Sequence, residues 1–421
     1  MNRIIAAFLA ATACVAMAQA QDNIATSPSA GPVFTLEDAV AAAGGSAPAA
    51  QAAQAGIAAA QAARTVAGLR PNPQLQTQVE NVAGSGAYDG FSQAETTVGI
   101  NIPIEMGGKR SARVAVANAQ TDRALLIAAI TQADIRLQVT GLYIEAIAAE
   151  RRALTARDQV RIAQDALQAA KVRVQAGRAS PIEEQRAEVA KLNAEAGAER
   201  TRRLADATRA NLARRIGRPL GDSLEAVSLD RLPGDIYGPA AVTSEGTLAL
   251  AAANADLAIA DAGVRLAQSQ RVPDLTVGPA VRRLSATNDT AAVFSISLPI
   301  PLFNAGKAAV AQANAERTRA AAQRRMTALD VEQAITDAQA EADNAATAAR
   351  NASGPALAAA REAARIARIG YREGKFGQLD LLDAERTLAD TRIAAIDALV
   401  AYQNARAQLE RLTAPVPQQG N

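Results

Sequence analysis

The chain has 421 residues, 49% apolar, 20% charged and only 3% aromatic, and alanine alone makes up about a quarter of it. Histidine and tryptophan are absent and cysteine occurs once, which excludes an internal disulfide or a cysteine zinc cluster and removes the commonest general base. The 44 basic and 42 acidic residues leave a formal charge of +2, so no polycationic nucleic-acid binder is implied.

Residues 1–20 read as an export signal. Arg3 supplies the positive start, Ile4 to Val15 the short apolar run, and Ala18-Gln19-Ala20 the small-residue cleavage site. Cys14 would be lipidated if Ala11-Thr12-Ala13 served as a lipobox, but the usual large aliphatic residue is missing, and loss with the signal is the better reading. Residues 21–33 are expected to form a flexible N-terminal segment. No later stretch is long and lipophilic enough to cross a bilayer as a helix, because alanine is barely lipophilic. A chain of this kind enters a membrane only as β-strands.

The remainder is one pattern written twice. Arg70-Pro71-Asn72-Pro73-Gln74-Leu75 answers Arg271-Val272-Pro273-Asp274-Leu275, and Ile102-Pro103-Ile104 answers Leu298-Pro299-Ile300. Gly108-Lys109 answers Gly306-Lys307, and Gly177, Ser180, Ile182 and Glu183 answer Gly374, Gly377, Leu379 and Asp380. The first repeat takes residues 34–216 and the second 244–413. A linker or equatorial segment at 217–243 joins them, and a disordered tail is expected at 414–421.

In each repeat a helix (35–68; 244–270) leads to proline. Two strands follow, about 74–82 and 94–102, then 274–283 and 291–298. A very long helical stretch comes next (109–176; 307–373), then a glycine turn and another long helix (181–216; 379–413). Gly141 is the candidate for a break in the first long stretch. The fold class is mostly α with a small β part. In the strands Leu75, Thr77 and Val79 alternate with Gln74, Gln76, Gln78 and Glu80, as a two-faced sheet requires. Each strand approaches the ~9–11 residues of a tilted membrane strand. Four strands cannot close a barrel, since the smallest have about eight. Several chains must therefore pool their strands, or the strands lie outside lipid. Nearly 70 residues of helix extend ~100 Å. The last helix carries a heptad seam, with Leu381, Leu388, Ala395, Tyr402 and Leu409 beside Ala384, Thr391, Ala398, Ala405 and Leu412. A hollow helical wall and a solid bundle satisfy that period equally.

Gly107-Gly108-Lys109 and Gly306-Lys307 invite a phosphate-loop reading that fails. Pro103 and Pro301 stand where a glycine is needed, and Arg110 and Ala308 replace the Ser/Thr. Pro103, Gly107, Gly108, Lys109, Pro299, Gly306 and Lys307 read instead as strand-to-helix corners, where proline ends ladder pairing. Gly177, Arg178 and Ser180 form one hairpin tip, and Gly374, Lys375, Phe376 and Gly377 the other. Asp380 and Asp383 share one helix face, where acidic residues also suit a helix start. Tyr88 and Phe91 fall in the loop between the first two strands. With no histidine and no mature cysteine there is no catalytic constellation, so an enzyme is not expected.

The run Gly370-Tyr371-Arg372-Glu373-Gly374-Lys375-Phe376-Gly377-Gln378-Leu379-Asp380-Leu381-Leu382-Asp383-Ala384-Glu385, with the export signal and the duplicated units, resembles the outer-membrane efflux protein family, the TolC-like channels, over about 34–413. Leu69-Arg70-Pro71-Asn72-Pro73, Glu80-Asn81, Gly90-Phe91 and Glu105-Met106-Gly107-Gly108-Lys109-Arg110 resemble its cobalt-zinc-cadmium resistance branch. The resemblance implies a homotrimer in the outer membrane, its twelve strands in one barrel that continues into an α-helical periplasmic tunnel. It implies that Asp380 and Asp383 ring the periplasmic gate. The internal repeat sets Glu183 opposite Asp380 and Arg186 opposite Asp383, which makes these two candidate gate partners and leaves open whether Arg186 locks the gate by an ion pair. The resemblance also implies that both tips meet a periplasmic adaptor (membrane fusion protein). The third member would be a proton-driven inner-membrane resistance-nodulation-division transporter. The cargo implied is divalent heavy-metal cations, with no cofactor and no nucleic acid. The alternatives are the same channel serving drugs or a secreted polypeptide, and a periplasmic coiled-coil adaptor or scaffold without a barrel.

Overall fold

The computed structural model describes residues 33–221, 223–233 and 243–417. The export signal, Cys14 and most of the expected flexible segment lie outside them. The elements are β1 (Val33–Phe34), α1 (Leu36–Ser46), α2 (Pro48–Gly68), β2 (Gln74–Glu80), β3 (Glu95–Ile104), α3 (Lys109–Gln175), α4 (Pro181–Ile216), β4 (Ser223–Leu224), α5 (Leu248–Ser269), β5 (Leu275–Leu284), β6 (Thr290–Ser297), α6 (Lys307–Asn351), α7 (Leu357–Arg372) and α8 (Gln378–Leu412).

The expected first helix, 35–68, is two helices. Pro48 disfavours helical backbone at Ala47, which is extended (φ −67°, ψ 127°), and then opens α2 at its first turn. Helix α3 runs unbroken for 67 residues, so Gly141 marks no break. The second long stretch is interrupted instead. Five residues, Ala352–Ala356, wind more loosely between α6 and α7, and Gly354 leaves helical geometry (φ −97°, ψ −105°). Pro355 is the cause: it lacks an N–H and its ring crowds the carbonyl four residues back.

Strands β2, β3, β5 and β6 form one antiparallel sheet in that order, so the two repeats meet at its centre and β2 and β6 are its edges. Register puts Leu75, Ile100, Pro279 and Phe294 in one row on the apolar face. Gln74, Asn101, Gly278 and Ser295 make the matching row on the polar face. Pro103 lies inside β3, opposite Thr276, rather than ending it. Beyond Asn101 the ladder with β2 has stopped, and proline is tolerated where a strand has become an edge.

The helices pack at close range on small residues. Ala149, Ala153 and Ala205 form one patch, Leu167, Ala170 and Ala187 a second, and Leu357, Ala360, Ala364 and Leu388 a third. Of the heptad seam, Leu381, Leu388, Ala395 and Tyr402 are buried and the alanine series is half-buried. The largest core sits midway along the helices, where residues 223–232 dock. There β4 pairs in parallel with β1, and Leu224 and Leu229 pack with Phe34, Tyr143, Leu212 and Tyr402. The Tyr143 hydroxyl donates to the Phe34 carbonyl (2.7 Å) and accepts from the Glu225 N–H (3.0 Å). Gln403 donates to the carbonyls of Ser228, Leu229 and Arg231 at 3.3, 3.2 and 2.9 Å. The start of the expected tail is held in place, as the Val416 N–H donates to the Gly246 carbonyl at 3.2 Å. Among the described residues no helix is long and apolar enough to cross a membrane.

Candidate functional site

The molecule offers two working ends, the sheet and the helical tips, joined by glycine corners. At the first corner Gly107 and Gly108 have φ of 68° and 72°. A Cβ on Gly107 would stand 2.6 Å from the Val272 side chain and 2.9 Å from the Ser269 carbonyl, so only glycine lets α3 leave the sheet here. Lys109 pairs with Asp274 of the other repeat (2.8 Å), and the Met106 N–H donates to the same carboxylate (3.0 Å). Burial works to raise the Asp274 carboxyl, but these two hydrogen bonds outweigh it and hold it below the usual range. Arg113 grips Glu105 with two nitrogens and donates to the carbonyls of Ala67 and Leu69. Its hydrogen bond depresses the Glu105 carboxyl. At the second corner Gly306 also has positive φ (72°), while Pro299 lies past the end of β6 and Lys307 is exposed.

At the first tip the chain turns through Gly177 (φ 67°), Arg178 and Ala179, and Ser180 caps α4 by accepting from the Ile182 N–H. At the second, Gly374 has φ 76°, and the Lys375 and Phe376 N–H groups both donate to the Gly370 carbonyl. Phe376 is 41% exposed, because its ring lies against Gly370, where a Cβ would come within 2.2 Å of it. Phe376 is thus partly committed to closing its own turn. Lys375 pairs with Glu373 at 2.7 Å.

Asp380 and Asp383 are both exposed on α8, and Thr387 and Asp390 continue the same face. The Asp380 carboxylate also accepts from the Gly377 N–H (2.9 Å), so it starts the helix as well as facing water. Glu183 is half-buried and its carbonyl accepts from the buried Gln378 side chain (3.0 Å), which joins the tips. Arg186 is exposed, and among the described residues no ion pair joins it to Asp383. Sequence reasoning passed over two further links. Arg173 of α3 lies over the Tyr371 ring, 4.8 Å from its centre, and Arg368 of α7 holds the buried Glu385 of α8 with two nitrogens. Tyr371 and Glu385 stand in the quoted terminal run, but their partners lie in other elements and no local spacing announces them.

The pairing of duplicated strands with duplicated helical hairpins is the decisive arrangement, and the outer membrane efflux protein family matches residues 40–218 and 244–414. The chain belongs to the outer membrane efflux protein family. It is 31% identical over 346 residues to the cobalt-zinc-cadmium resistance protein CzcC of Cupriavidus metallidurans, covering 81% of each chain. It is 31% identical over 286 residues to the nickel and cobalt resistance protein CnrC of the same organism, covering 67% of this chain and 66% of that one. In structure it resembles CusC, solved in a study of transmembrane channel formation, with a TM-score of 0.73 at 16% identity over 91% of this chain and 93% of that one. The fold is therefore the TolC-like channel fold, and the adaptor reading, a single hairpin flanked by compact β-domains, is set aside. The protein is an outer-membrane efflux channel subunit with a periplasmic helical extension. Channels of this family work in three-part pumps, with a periplasmic adaptor and an inner-membrane transporter.

Proposed function

We propose that three copies of the chain close their sheets, edge β2 against edge β6, into one twelve-stranded barrel that is the exit duct of a heavy-metal pump. The observation that carries this is the sheet: one face apolar, the other polar, with both edges free. Lipid tolerates no open edge, and four strands are too few to close alone. The cargo is divalent cations of the cobalt, zinc and cadmium type, a reading supported by the two resistance proteins that the chain resembles. The energy comes from a proton-driven inner-membrane transporter of the resistance-nodulation-division class, reached through an adaptor docked on the tips at Gly177–Ser180 and Gly374–Gly377. Asp380 and Asp383, repeated by threefold symmetry, make carboxylate rings at the periplasmic entrance, which attract cations and repel anions.

The test is metal tolerance of a host lacking the gene, with and without the gene restored. The expected result is that tolerance to cobalt, zinc, cadmium or nickel falls and recovers while tolerance to drugs and detergents holds. Loss of drug tolerance alone contradicts the metal cargo and leaves the channel standing. A second test separates the two aspartates. Asp383→Asn is expected to lower the cation preference of the reconstituted channel with no change in melting temperature, whereas Asp380→Asn lowers both, because it also weakens the start of α8. Equal melting temperatures and an unchanged cation preference in both variants count against the gate.

A further inference from the structure

The polar face of the sheet is almost free of charge. Along β2 it presents Gln74, Gln76 and Gln78, along β3 Thr97 and Asn101, and along β6 Ser295 and Ser297. Among the described residues of these four strands, only Glu80, Glu95 and Arg282 are charged on that face, and all three stand at the end remote from the helices. Glu80 and Glu95 are directly opposite in register, an arrangement of like charges that destabilises a strand pair. Arg282, reaching from β5, resolves it. Its Nη2 lies 3.2 Å from Glu80 and its Nη1 2.7 Å from Glu95, and its Nε donates to Thr97 at 2.9 Å. The adjacent Arg283 points to the opposite face and bonds Asn288 in the hairpin turn. The guanidinium thus spans three strands and cancels one of two carboxylates, which leaves one net negative charge per copy.

We infer that Arg282 sets the charge selectivity of the outer mouth of the channel. Three copies place a net charge of minus three on the polar strand face at the outer end of the barrel. That is enough to favour cations over anions as they leave, and half of what the carboxylates alone would impose. A pore must attract an ion without retaining it, and Arg282 supplies that moderation at the exit. The inference rests on the proposed three-copy barrel, whose bore this face would line.

The test is reagent access in intact cells, with the full chain in the outer membrane. Ala291, opposite Arg282 on the polar face, is replaced by cysteine, and Ala292, on the apolar face, serves as the control. Cys14 is the only natural cysteine, so the unsubstituted protein gives the background. Reaction rates are measured with a cationic and an anionic thiosulfonate reagent applied from outside. The expected result is that Ala291→Cys reacts, faster with the cationic reagent, while Ala292→Cys does not. Adding Arg282→Gln raises the cationic-to-anionic ratio about threefold, the scale for one unit charge a few ångströms away in screened water. Adding Glu80→Gln and Glu95→Gln lowers the ratio about tenfold, so that the anionic reagent gains the advantage. Arg282→Lys keeps the charge and holds the ratio within about twofold. If Ala291→Cys reacts and Ala292→Cys does not, but the ratio ignores the charge changes, the inference falls and the barrel stands. It falls too if Arg282→Lys shifts the ratio as far as Arg282→Gln, because packing rather than charge is then responsible. If both cysteines react alike, the barrel reading fails and takes the inference with it.

Discussion

Glu385 is the residue whose environment most constrains its partner. It is 3% exposed and, among the described residues, its carboxylate pairs with Arg368 and no other cation, so deleting Arg368 leaves a buried charge without compensation. Arg368→Met is expected to destabilise the protein by about 1–3 kcal/mol, less than for a fully enclosed pair because Arg368 is itself 43% exposed. Denaturant unfolding measures it, and Glu385→Gln in the same background should recover part of the loss. Tyr143 makes a similar case in neutral form. Tyr143→Phe removes a hydroxyl that satisfies both the Phe34 carbonyl and the Glu225 N–H, at a cost of about 1–2 kcal/mol, with β1 and β4 loosened first. The corner carboxylates give a pH dependence. Asp274 and Glu105 sit below their ordinary values in the folded chain, so the stability they add is present above the ordinary carboxylate range, about pH 4, and is lost as pH falls through their folded values. The melting temperature is expected to hold from pH 7 to about pH 5 and fall below about pH 4, with a shallower acid limb in Asp274→Asn. An identical acid limb in that variant would show that Asp274 takes no part.

Among the elements, those built on period are the ones the sequence announces. The strands alternate with period two because their sheet has an apolar and a polar face, and α8 repeats every seven residues because it buries one face, and both patterns survive in the fold. Single-residue events inside long helices are less visible. Gly354-Pro355 carries the dipeptide signal of a break, but helical periodicity on either side runs straight over it. Gly141 sends the opposite false signal, since a lone glycine within 67 residues of helix weakens it without ending it. The links among tips and mouth are not legible at all. Arg282 meets Glu95 across 187 positions and Gln378 meets Glu183 across 195, so they follow only from tertiary register. The second tip is held closed by the ring of Phe376 against Gly370. In Gly370→Ala the new Cβ displaces the Phe376 ring, and trypsin is expected to cut after Arg372 or Lys375 several-fold faster, while the sheet's protection is unchanged. Unaltered cleavage would mean the ring contact does not hold the turn closed.

For the whole molecule, one chain supplies a sheet that cannot close and helices far longer than a domain is wide, and both facts point outward to further copies. Alanine makes the architecture feasible. It allows helices to approach closely, so the wall is held by a string of small apolar patches and one larger core at the level of β1 and β4. That is why so aromatic-poor a chain builds so long a structure. The family and the channel fold were readable because the duplication preserves corners and turns in order. The equatorial docking of residues 223–232 was not, because a short segment seated by scattered contacts with Tyr143 and Gln403 has no period of its own. Native mass spectrometry of the protein extracted from outer membranes shows directly whether the free edges of one sheet are closed by two further copies. A single species of three chains is the expected result, and a species of one or two chains under extraction conditions that preserve a known barrel would contradict that closure.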